Sequence, residues 1–411
     1  MTDGGAFVCR ACGGHRVPLV ISLGCTPLAN ALLDANQLEA SEDTYPLDLV
    51  YCEDCTLVQI TETVPPPRLF SEYAYFSSFS DTMLRHAESL ARRVMAERHL
   101  DARALVVEIA SNDGYLLQVY KDAGIRVLGI EPAANVAKVA EERGIPTRVE
   151  FFGEACARAL AERGDRADVI HANNVLAHVP DLPGFARGLA TLLADGGVAI
   201  IEVPYVKDLI DHREFDTIYH EHLSYFSLTA LHRLFARHGL AVLDVERLPI
   251  HGGSLRVTAG RADARTPSAR VAELLDNEVR WGMTGLAYYQ RFAADVADLR
   301  RSLLALLSEL RAGGKRLAAY GAAAKGSTLL NCFGIGRDYL EFVVDRSPHK
   351  QGRYMPGVRL PIDAPSRLLR DRPDFVLLLT WNFADEILEQ QAEFRRGGGR
   401  FIIPVPEVRV A

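Results

Sequence analysis

Strand-like and helix-like segments alternate between residues 104 and 204, and this alternation most limits the folds open to the chain. The apolar runs ALVVEIA, RVLGIE, ADVIHANN and GVAIIEVP predict strands, and the segments between them predict helices through Leu116, from Asn135 and from about Phe185 to Leu193. Strands that alternate with helices at this spacing form a parallel sheet with helices on both faces, and ligands bind beyond the carboxyl ends of its strands. We therefore predict an α/β fold with a Rossmann-like domain whose functional residues lie at strand ends.

Polar residues follow the first two of these strands. The run EIASNDGYLL makes a tight turn into a helix, and the second strand ends in Glu131-Pro132, where a carboxylate can accept both hydroxyls of a ribose. Ala110 stands where the G-x-G-x-x-G dinucleotide pattern has a glycine, so a pyrophosphate would be poorly held. The pattern predicts a cofactor with one ribose and no phosphate, S-adenosylmethionine, although a helix cap is an alternative role for Asp113. The residues predicted to bind this cofactor are Glu108, Ser111, Asn112, Asp113, Gly114, Glu131, Pro132, Asn174 and Ser78.

Four cysteines form two C-x-x-C pairs, Cys9 with Cys12 and Cys52 with Cys55. Four thiolates can enclose one tetrahedral Zn²⁺ and leave no open coordination position, which predicts a structural zinc site. The chain between the pairs, residues 13–51, is longer than in a compact zinc ribbon and must return to close the site. Two unrelated reduced pairs, or a redox dithiol, are the alternative.

The run Tyr219-His220-Glu221-His222 brings a phenol, a carboxylate and two imidazoles together. In an extended segment His220 and His222 would share one face and the other two residues the opposite face, so metal binding is one interpretation. A third ligand is missing nearby, and the four cysteines already account for zinc. Proton transfer is the favoured interpretation, because a histidine with an ordinary pKa near 6.5 can act as a base at neutral pH. His220 is assigned no chemistry.

Composition narrows the class of partner. The chain has 411 residues, is 48% hydrophobic and can therefore hold two to four domains of about 100–200 residues each. Its net charge of -7 is not concentrated in a tail, so nucleic acid is not an expected partner. No apolar run approaches the ~20 residues that cross a bilayer, and the first residues do not resemble a signal peptide. A cytoplasmic protein without a membrane partner is expected.

The C-terminal half offers two candidate phosphate sites. The turn HGGSLRV, with Gly253 and Ser254, precedes a strand, and its amides could hold a phosphate, although an ordinary hairpin is an equal alternative. A helical stretch from about Ser268 to Arg311 then predicts a connector. The run RLAAYGAAAKGSTLLN predicts a strand, a turn and a helix with Lys325 at the helix start, where an anion can bind; a degenerate Rossmann unit kept for packing is the alternative.

The chain as a whole resembles the zinc-containing, S-adenosylmethionine-dependent sugar C-methyltransferases, which act on nucleotide-linked 4-keto-deoxysugars in bacterial antibiotic and polysaccharide pathways. The motifs that carry the resemblance are the four cysteines, EYAYFSS, EIASNDGYLL, GIEPAANVA, NNVLAHVPD, YHEHLSYFS, HGGSLRV and YGAAAKGSTLLN. The resemblance implies three parts: a small zinc-binding domain, a central class I methyltransferase domain and a C-terminal Rossmann-like domain. The predicted divisions are 1–70, 71–260, a helical connector 261–311 and 312–411.

The resemblance also implies roles for residues of the catalytic site. His222 would be the base, Glu221 would orient or tune it, and Tyr219 and Tyr75 would position the substrate or stabilise the enolate. His178 would donate a hydrogen bond to that enolate. The implied substrate is a thymidine diphosphate-linked 4-keto-deoxysugar methylated beside the ketone, with C-3 as the expected carbon and with Lys325, Gly253 and Ser254 contacting it.

Two alternatives to this function remain at the level of sequence. The same class of enzyme could methylate a ketone that carries no nucleotide. A zinc-containing adaptor could instead bind a nucleoside ligand without catalysis. The oligomeric state is left open, with a monomer compatible with the sequence.

Overall fold

The computed structural model describes residues 7–70, 78, 81–250, 252–263 and 266–411. These residues form three sheets of four, seven and six strands. The first sheet belongs to the N-terminal part that carries the paired cysteines, the second to the central part and the third to the C-terminal part. This arrangement confirms the predicted three-part α/β class.

The N-terminal sheet is antiparallel and has the order β1-β2-β3-β9. Its first three strands lie within the N-terminal part, and the fourth comes from the central part. Because β3 and β9 are far apart in sequence, this sheet joins two parts of the chain. The elements are β1 (Leu19–Pro27), a 3-10 turn (Ala35–Gln37), β2 (Thr44–Tyr51), β3 (Val58–Ile60), α1 (Pro66–Phe70) and β9 (Ser224–Tyr225).

The central sheet has the order β10-β11-β8-β7-β4-β5-β6. Strands β4 to β8 pair in parallel, as predicted, but β11 runs antiparallel to both of its neighbours. The sheet is therefore mixed rather than purely parallel, because a hairpin adds β10 and β11 at one edge. Its elements are α2 (Asp81–Arg98), β4 (Leu105–Ile109), α3 (Leu117–Asp122), β5 (Arg126–Ile130), α4 (Ala134–Glu142), β6 (Thr147–Arg148), α5 (Glu154–Glu162), β7 (Ala167–Asn173), a 3-10 turn (Leu176–His178), α6 (Leu182–Leu192), β8 (Leu193–Pro204), α7 (Val206–Asp211), a 3-10 turn (Phe215–Thr217), α8 (Leu228–Ala236), β10 (Leu240–Leu248) and β11 (Ser254–Arg261).

Local sequence explains where several central elements begin. The strand β4 is buried along its whole length, as expected for a parallel strand covered on both faces. Helix α6 begins after Asp181, whose carboxylate accepts a hydrogen bond from the amide of Gly184. Helix α8 begins after Ser227, whose hydroxyl accepts one from the amide of Ala230. These caps satisfy amides in the first turns of the two helices and mark where each helix begins.

Two helices connect the central and C-terminal parts. The break lies between Arg280 and Leu286, where Gly282 adopts a φ of +81° that favours glycine. The C-terminal sheet has the order β14-β13-β12-β15-β16-β17 and is parallel except for the last pair. The elements are α9 (Ala269–Arg280), α10 (Leu286–Ala312), β12 (Leu317–Tyr320), α11 (Ala324–Phe333), β13 (Val343–Val344), β14 (Ile362–Asp363), α12 (Arg367–Asp371), β15 (Phe375–Leu378), a 3-10 turn (Trp381–Phe383), α13 (Ala384–Gln390), α14 (Ala392–Arg396), β16 (Arg400–Ile403) and β17 (Arg409–Val410).

Buried aromatic pairs join the three parts. Tyr51 of β2 stacks on Tyr289 of α10 with 4.8 Å between ring centroids, and Phe215 stacks on Phe333 of α11 with 4.5 Å. All four rings are buried, so the joints between parts resemble a core rather than a wet interface. Among the residues that the structure describes, no helix combines the length and apolar character needed to cross a membrane.

Candidate active site

A cleft of about 810 Å³ opens where the three parts meet. In the central sheet the strand order reverses at β4, and in the C-terminal sheet it reverses at β12. Ligands of open α/β sheets bind at such reversal points. Asn112 and Glu131 line the cleft from the first reversal point, and Ala323 and Lys325 line it from the second. Both sheets therefore direct their ligand-binding ends into one cavity.

Glu131 is held firmly at the central end of this cleft. Its Oε2 accepts a hydrogen bond of 2.9 Å from the amide of Asn112, and its Oε1 accepts one of 2.9 Å from the amide of Ala133. Burial raises the pKa of the carboxyl, and these two amides partly oppose that shift. Each oxygen keeps further acceptor capacity, so the fixed carboxylate suits a vicinal diol such as a ribose.

The other predicted cofactor residues divide into two groups. Pro132 and Asn174 line the cleft with Asn112 and Glu131. The remaining five are not part of its lining, and the structure gives them supporting positions instead. These five are Glu108, Ser111, Asp113, Gly114 and Ser78.

Three of the five show what supports the turn at the cleft. Glu108 is completely buried in β4, and burial together with the nearby Glu131 and Asp113 raises its pKa well above the usual range. Gly114 adopts a φ of +78°, and a Cβ there would lie 2.9 Å from Ile145. Ser78 donates to the carboxylate of Asp113. These residues shape the turn that presents Asn112.

The run Tyr219-His220-Glu221-His222 is a turn, not an extended segment. The amide of His222 donates to the carbonyl of Tyr219 at 2.9 Å. The predicted alternation of faces is therefore wrong: Tyr219, Glu221 and His222 all line the cleft. His220 is buried and its Nε2 lies 3.1 Å from the carbonyl oxygen of Pro46. The turn thus brings Tyr219, Glu221 and His222 to the cleft, whereas His220, which was assigned no chemistry, does not line it.

The hydrogen bonds of His222 indicate which ring nitrogen is the base. Nδ1 lies 3.1 Å from the carbonyl oxygen of Thr217, which can only accept, so Nδ1 carries the proton in the neutral ring. Nε2 lies 3.1 Å from the hydroxyl of Tyr219 and therefore presents a lone pair. The arrangement gives the cleft a basic nitrogen with a phenol beside it.

His178 faces His222 across the cleft, with 4.9 Å between ring centroids. Its Nδ1 lies 2.6 Å from the carbonyl oxygen of Glu221 and donates to it. Burial lowers the pKa of His178, and hydrogen bonds with the backbone of Glu221 and of Asn174 oppose that shift. The predicted hydrogen bond from His178 to an enolate stays a prediction.

The carboxylate of Glu221 contacts the N-terminal part, and its predicted role of orienting or tuning His222 stays a prediction. Its carboxylate accepts a hydrogen bond of 2.6 Å from the side-chain amide of Asn30, and burial raises its pKa. The two bonds described above for His222 go instead to Thr217 and Tyr219. Glu221 and Asn30 thus form a polar pair on the cleft wall, suited to contacting a polyhydroxylated ligand. Tyr75 lies outside the described residues.

The predicted phosphate contacts have mixed outcomes. Gly253 lines the cleft, but it belongs to the turn between β10 and β11, which is the hairpin alternative. Ser254 is buried, does not line the cleft, and donates to the carbonyl of Ile250 at 3.1 Å. Lys325 lines the cleft; its ammonium lies 3.1 Å from the side-chain oxygen of Asn382 and 4.5 Å from the ring centre of Trp381.

Two buried acids beside Lys325 escaped the sequence analysis. Burial raises the pKa of Glu214 to about 8 and that of Asp216 to about 6, and the charge of Lys325 opposes both shifts. Asp216 accepts a hydrogen bond of 2.7 Å from the indole N–H of Trp381. The sequence does show a cluster of charged residues in the loop before Tyr219. A loop has no regular periodicity, however, so the sequence could not predict which of these side chains are buried.

The paired cysteines converge as predicted. Their four sulfur atoms lie within 4.8 Å of one another, with 3.4 Å between Cys9 and Cys55 and 3.5 Å between Cys12 and Cys52. A tetrahedral site with Zn–S distances of about 2.3 Å requires sulfur separations of about 3.8 Å. The donor set fits a closed structural zinc site.

Comparison with known proteins decides the family. The C-methyltransferase NovU of Streptomyces niveus is 39% identical to this chain over 403 residues, which cover 98% of this chain and 96% of that protein. The chain belongs to the C-methyltransferase family. Family models match it as a putative zinc binding domain over residues 9–70, a methyltransferase domain over 83–245 and a C-methyltransferase C-terminal domain over 249–406.

Other similarities are confined to part of this C-methyltransferase. A ubiquinone biosynthesis O-methyltransferase of Methylobacterium nodulans is 33% identical over 122 residues, 29% of this chain and 46% of that protein. The crystal structure of magnesium protoporphyrin IX methyltransferase from Synechocystis with bound SAM covers 48% of this chain and 89% of its own, with 14% identity and a TM-score of 0.35. Family membership confirms the predicted zinc-binding domain and the predicted methyltransferase activity with S-adenosylmethionine as donor.

The role of Glu131 yields a direct prediction. Glu131→Ala removes the fixed carboxylate, and each hydrogen bond to a charged group contributes about 1.5–3 kcal/mol, so the Kd for S-adenosylmethionine should rise by about 100-fold or more. Isothermal titration calorimetry measures this Kd. Glu141→Ala, on the exposed face of α4, is the matched control and should bind like wild type. A Glu131→Ala Kd within about threefold of wild type would contradict the assignment.

Proposed function

We propose that this C-methyltransferase methylates the carbon next to the ketone of a thymidine diphosphate-linked 4-keto-deoxysugar, with C-3 as the expected position. The observation that carries the proposal is the orientation of His222. Its Nδ1 proton is held by Thr217 and its Nε2 is directed toward Tyr219 in the cleft. A carbon acid beside a carbonyl needs such a base, whereas an oxygen or nitrogen nucleophile needs no carbon deprotonation.

His222 removes the proton and leaves an enolate. When bound, S-adenosylmethionine supplies the electrophilic methyl group. In the structure the hydroxyl of Tyr219 donates to Nε2 of His222; when substrate binds, this hydroxyl would turn to donate to the ketone oxygen, which leaves the Nε2 lone pair to take the proton. Its neighbour Tyr225 also lines the cleft and is buried, so the site around the enolate contains little bulk water. Burial strengthens these interactions relative to an exposed site.

The cleft walls support a sugar substrate. Glu221 accepts from Asn30 and both residues line the cavity, so together they offer a carboxylate and an amide to sugar hydroxyls. His178, with its Nδ1 proton engaged, is assigned to holding the backbone of Glu221 in place. Its proximity to His222 also helps to fix the turn.

The C-terminal wall supports a nucleotide-linked substrate. Lys325 provides a positive charge at the start of α11, where helix amides also favour an anion. Burial raises the pKa of Glu214 to about 8, which reduces its repulsion of a phosphate, whereas Asp216, with a pKa of about 6, keeps negative charge that Lys325 offsets. A neutral Glu214 could donate a hydrogen bond to the same group. We therefore place the diphosphate on this side of the cleft.

Deuterium exchange tests the proposed chemistry. In deuterated buffer without S-adenosylmethionine, the enzyme is expected to exchange the proton beside the ketone of a thymidine diphosphate-linked 4-keto sugar, measured as a gain of one mass unit or by NMR. A substrate that is methylated but shows no exchange at that carbon, with or without S-adenosylhomocysteine, would overturn the carbanion mechanism. An adaptor would show neither exchange nor methylation.

The nucleotide requirement needs a separate measurement. Calorimetry with thymidine diphosphate alone should show saturable binding that Lys325→Ala weakens. Exposed Lys138→Ala on α4 is the control for loss of one positive charge. Absence of binding by wild type, together with methylation of a ketone that carries no nucleotide, would favour the non-nucleotide alternative.

A further inference from the structure

We call residues 219–222 the catalytic turn and the four-stranded sheet β1-β2-β3-β9 the zinc-bearing sheet. The chain that leaves the catalytic turn forms a strand of the zinc-bearing sheet. Strand β9 follows His222 directly and pairs with β3, so that Tyr225 lies opposite Val58 and Ser224 lies opposite Gln59. The amide of Ile60 also donates to the carbonyl of Leu223 at 3.0 Å. A catalytic turn of the central part is therefore completed by a strand from the N-terminal part.

Gln59 connects this strand pair to the cysteine cluster. Its side chain is fully buried; Nε2 donates to the sulfur of Cys9 at 3.1 Å and Oε1 accepts from the amide of Arg10 at 3.0 Å. Its backbone pairs with Ser224. One residue thus contacts both a predicted zinc ligand and the strand that leaves the catalytic turn. A donor to a metal-bound thiolate orients that ligand and offsets its charge.

Two further contacts tie the N-terminal part to the same turn. His220 reaches the carbonyl of Pro46 in β2, and Glu221 accepts from Asn30. By contrast, Glu131 at the cofactor end takes its two backbone hydrogen bonds from Asn112 and Ala133 within the central part. Loss of the zinc-bearing scaffold should therefore affect the catalytic turn more than the ribose site.

We propose that the zinc-binding part positions the catalytic turn and that Gln59 is the positioning residue which links the zinc site to that turn. The expected effect on catalysis rests on the proposed function of His222. The structural link from the cysteine cluster through Gln59 to β9 can be measured without any turnover. Zinc would hold the cysteines, Gln59 would hold β3 against the cluster, and β3 would hold β9. The turn would then keep Nε2 of His222 directed into the cleft.

The Gln59→Leu variant tests this link with zinc still bound. It keeps the approximate side-chain volume but loses the donor to Cys9 and the acceptor for Arg10. We expect zinc content near one per chain, a Kd for S-adenosylmethionine within about twofold of wild type, and faster amide hydrogen exchange over residues 223–225. We expect kcat to fall about 10–100-fold, as substitution of a residue next to metal ligands typically causes.

Gln37→Leu is the matched control, because Gln37 is exposed in the same N-terminal part and its side chain accepts only from the amide of Asp34 among the contacts described. It should match wild type in every measurement. Wild-type amide exchange over residues 223–225 and wild-type kcat in zinc-loaded Gln59→Leu would overturn the proposal. So would a parallel rise in the Kd for S-adenosylmethionine, because that result indicates general loosening.

If Gln59→Leu fails to fold, removal of zinc from the wild-type enzyme with a chelator provides an independent test of the same link. Faster exchange over residues 219–225 with retained cofactor binding supports the link, and unchanged exchange with zinc removed overturns it. These outcomes are separable from failure of the proposed function. If wild type never exchanges the substrate proton, the carbanion mechanism fails, but the amide-exchange comparison still decides whether the zinc site supports the turn.

Discussion

His222→Ala should lower kcat for methyl transfer by about 10²–10⁴-fold, the usual contribution of a positioned general base. The physical reason is that Nε2 of His222 presents the lone pair to the cleft, because Thr217 holds the proton on Nδ1. The same variant should lose exchange of the substrate proton with solvent. Binding of S-adenosylmethionine should be unchanged, since Glu131 takes its two backbone hydrogen bonds from Asn112 and Ala133, which lie outside the turn that carries His222.

Steady-state kinetics, deuterium exchange and calorimetry measure these three quantities on one preparation. His232→Ala, on the exposed face of α8, is the control for removal of a histidine and should retain wild-type values. If His222→Ala keeps kcat and proton exchange within about threefold of wild type, another group is the base. A loss of methyl transfer with wild-type proton exchange would instead assign His222 to the transfer step.

Glu278→Ala should lower the free energy of unfolding by about 4 kcal/mol, because each buried donor left without a partner costs about 1–3 kcal/mol. Glu278 lies in α9 and is completely buried. It accepts hydrogen bonds of 2.6–2.8 Å from the hydroxyl of Tyr205, from the amides of Leu228 and Thr229, and from the hydroxyl of Thr229. One carboxylate therefore satisfies the first amides of α8, which begins just after the catalytic turn.

Urea denaturation followed by circular dichroism measures this effect. Glu273→Ala, on the exposed face of the same helix, is the control and should change stability by less than about 0.5 kcal/mol. Glu278→Gln should fall between the two, because one acceptor oxygen remains while the new NH₂ group faces backbone donors. A Glu278→Ala variant as stable as the control would show that water or a shifted side chain replaces the carboxylate.

Local patterns predicted the parts of the fold that depend on short stretches of chain. The apolar runs of β4, β5, β7 and β8 are consecutive residues whose burial on both faces of a sheet leaves a readable signature. The C-x-x-C spacing is likewise a local signal, because it lets both sulfur atoms of a pair bind one metal ion from a single tight turn. Glu131 at the end of β5 lines the cleft because strand ends of a parallel sheet meet at one edge.

Predictions that needed distant partners were less complete. The turn at Tyr219-His220-Glu221-His222 was not predicted, because its contacts reach back to Asn30 and Pro46. Glu214 and Asp216 were missed because their burial depends on packing between distant segments, which brings Gly252 to Glu214 and Trp381 to Asp216. The hairpin that adds β10 and β11 was one of two equal alternatives for HGGSLRV, because a glycine-rich turn before a strand has the same local pattern in a hairpin and in a phosphate-binding loop.

By itself, the sequence determined that this chain would form a zinc-binding part and Rossmann-like parts, and that a carboxylate, a phenol and histidines would serve the cleft. Those properties follow from residue types and from spacing along a few turns or strands. Only the tertiary structure decided which nitrogen of His222 is basic, which partner Glu221 accepts from, and that the zinc-bearing sheet extends into the catalytic turn. The reason is physical: hydrogen bonds between residues far apart in sequence depend on how whole sheets and helices pack, and no local pattern records that geometry.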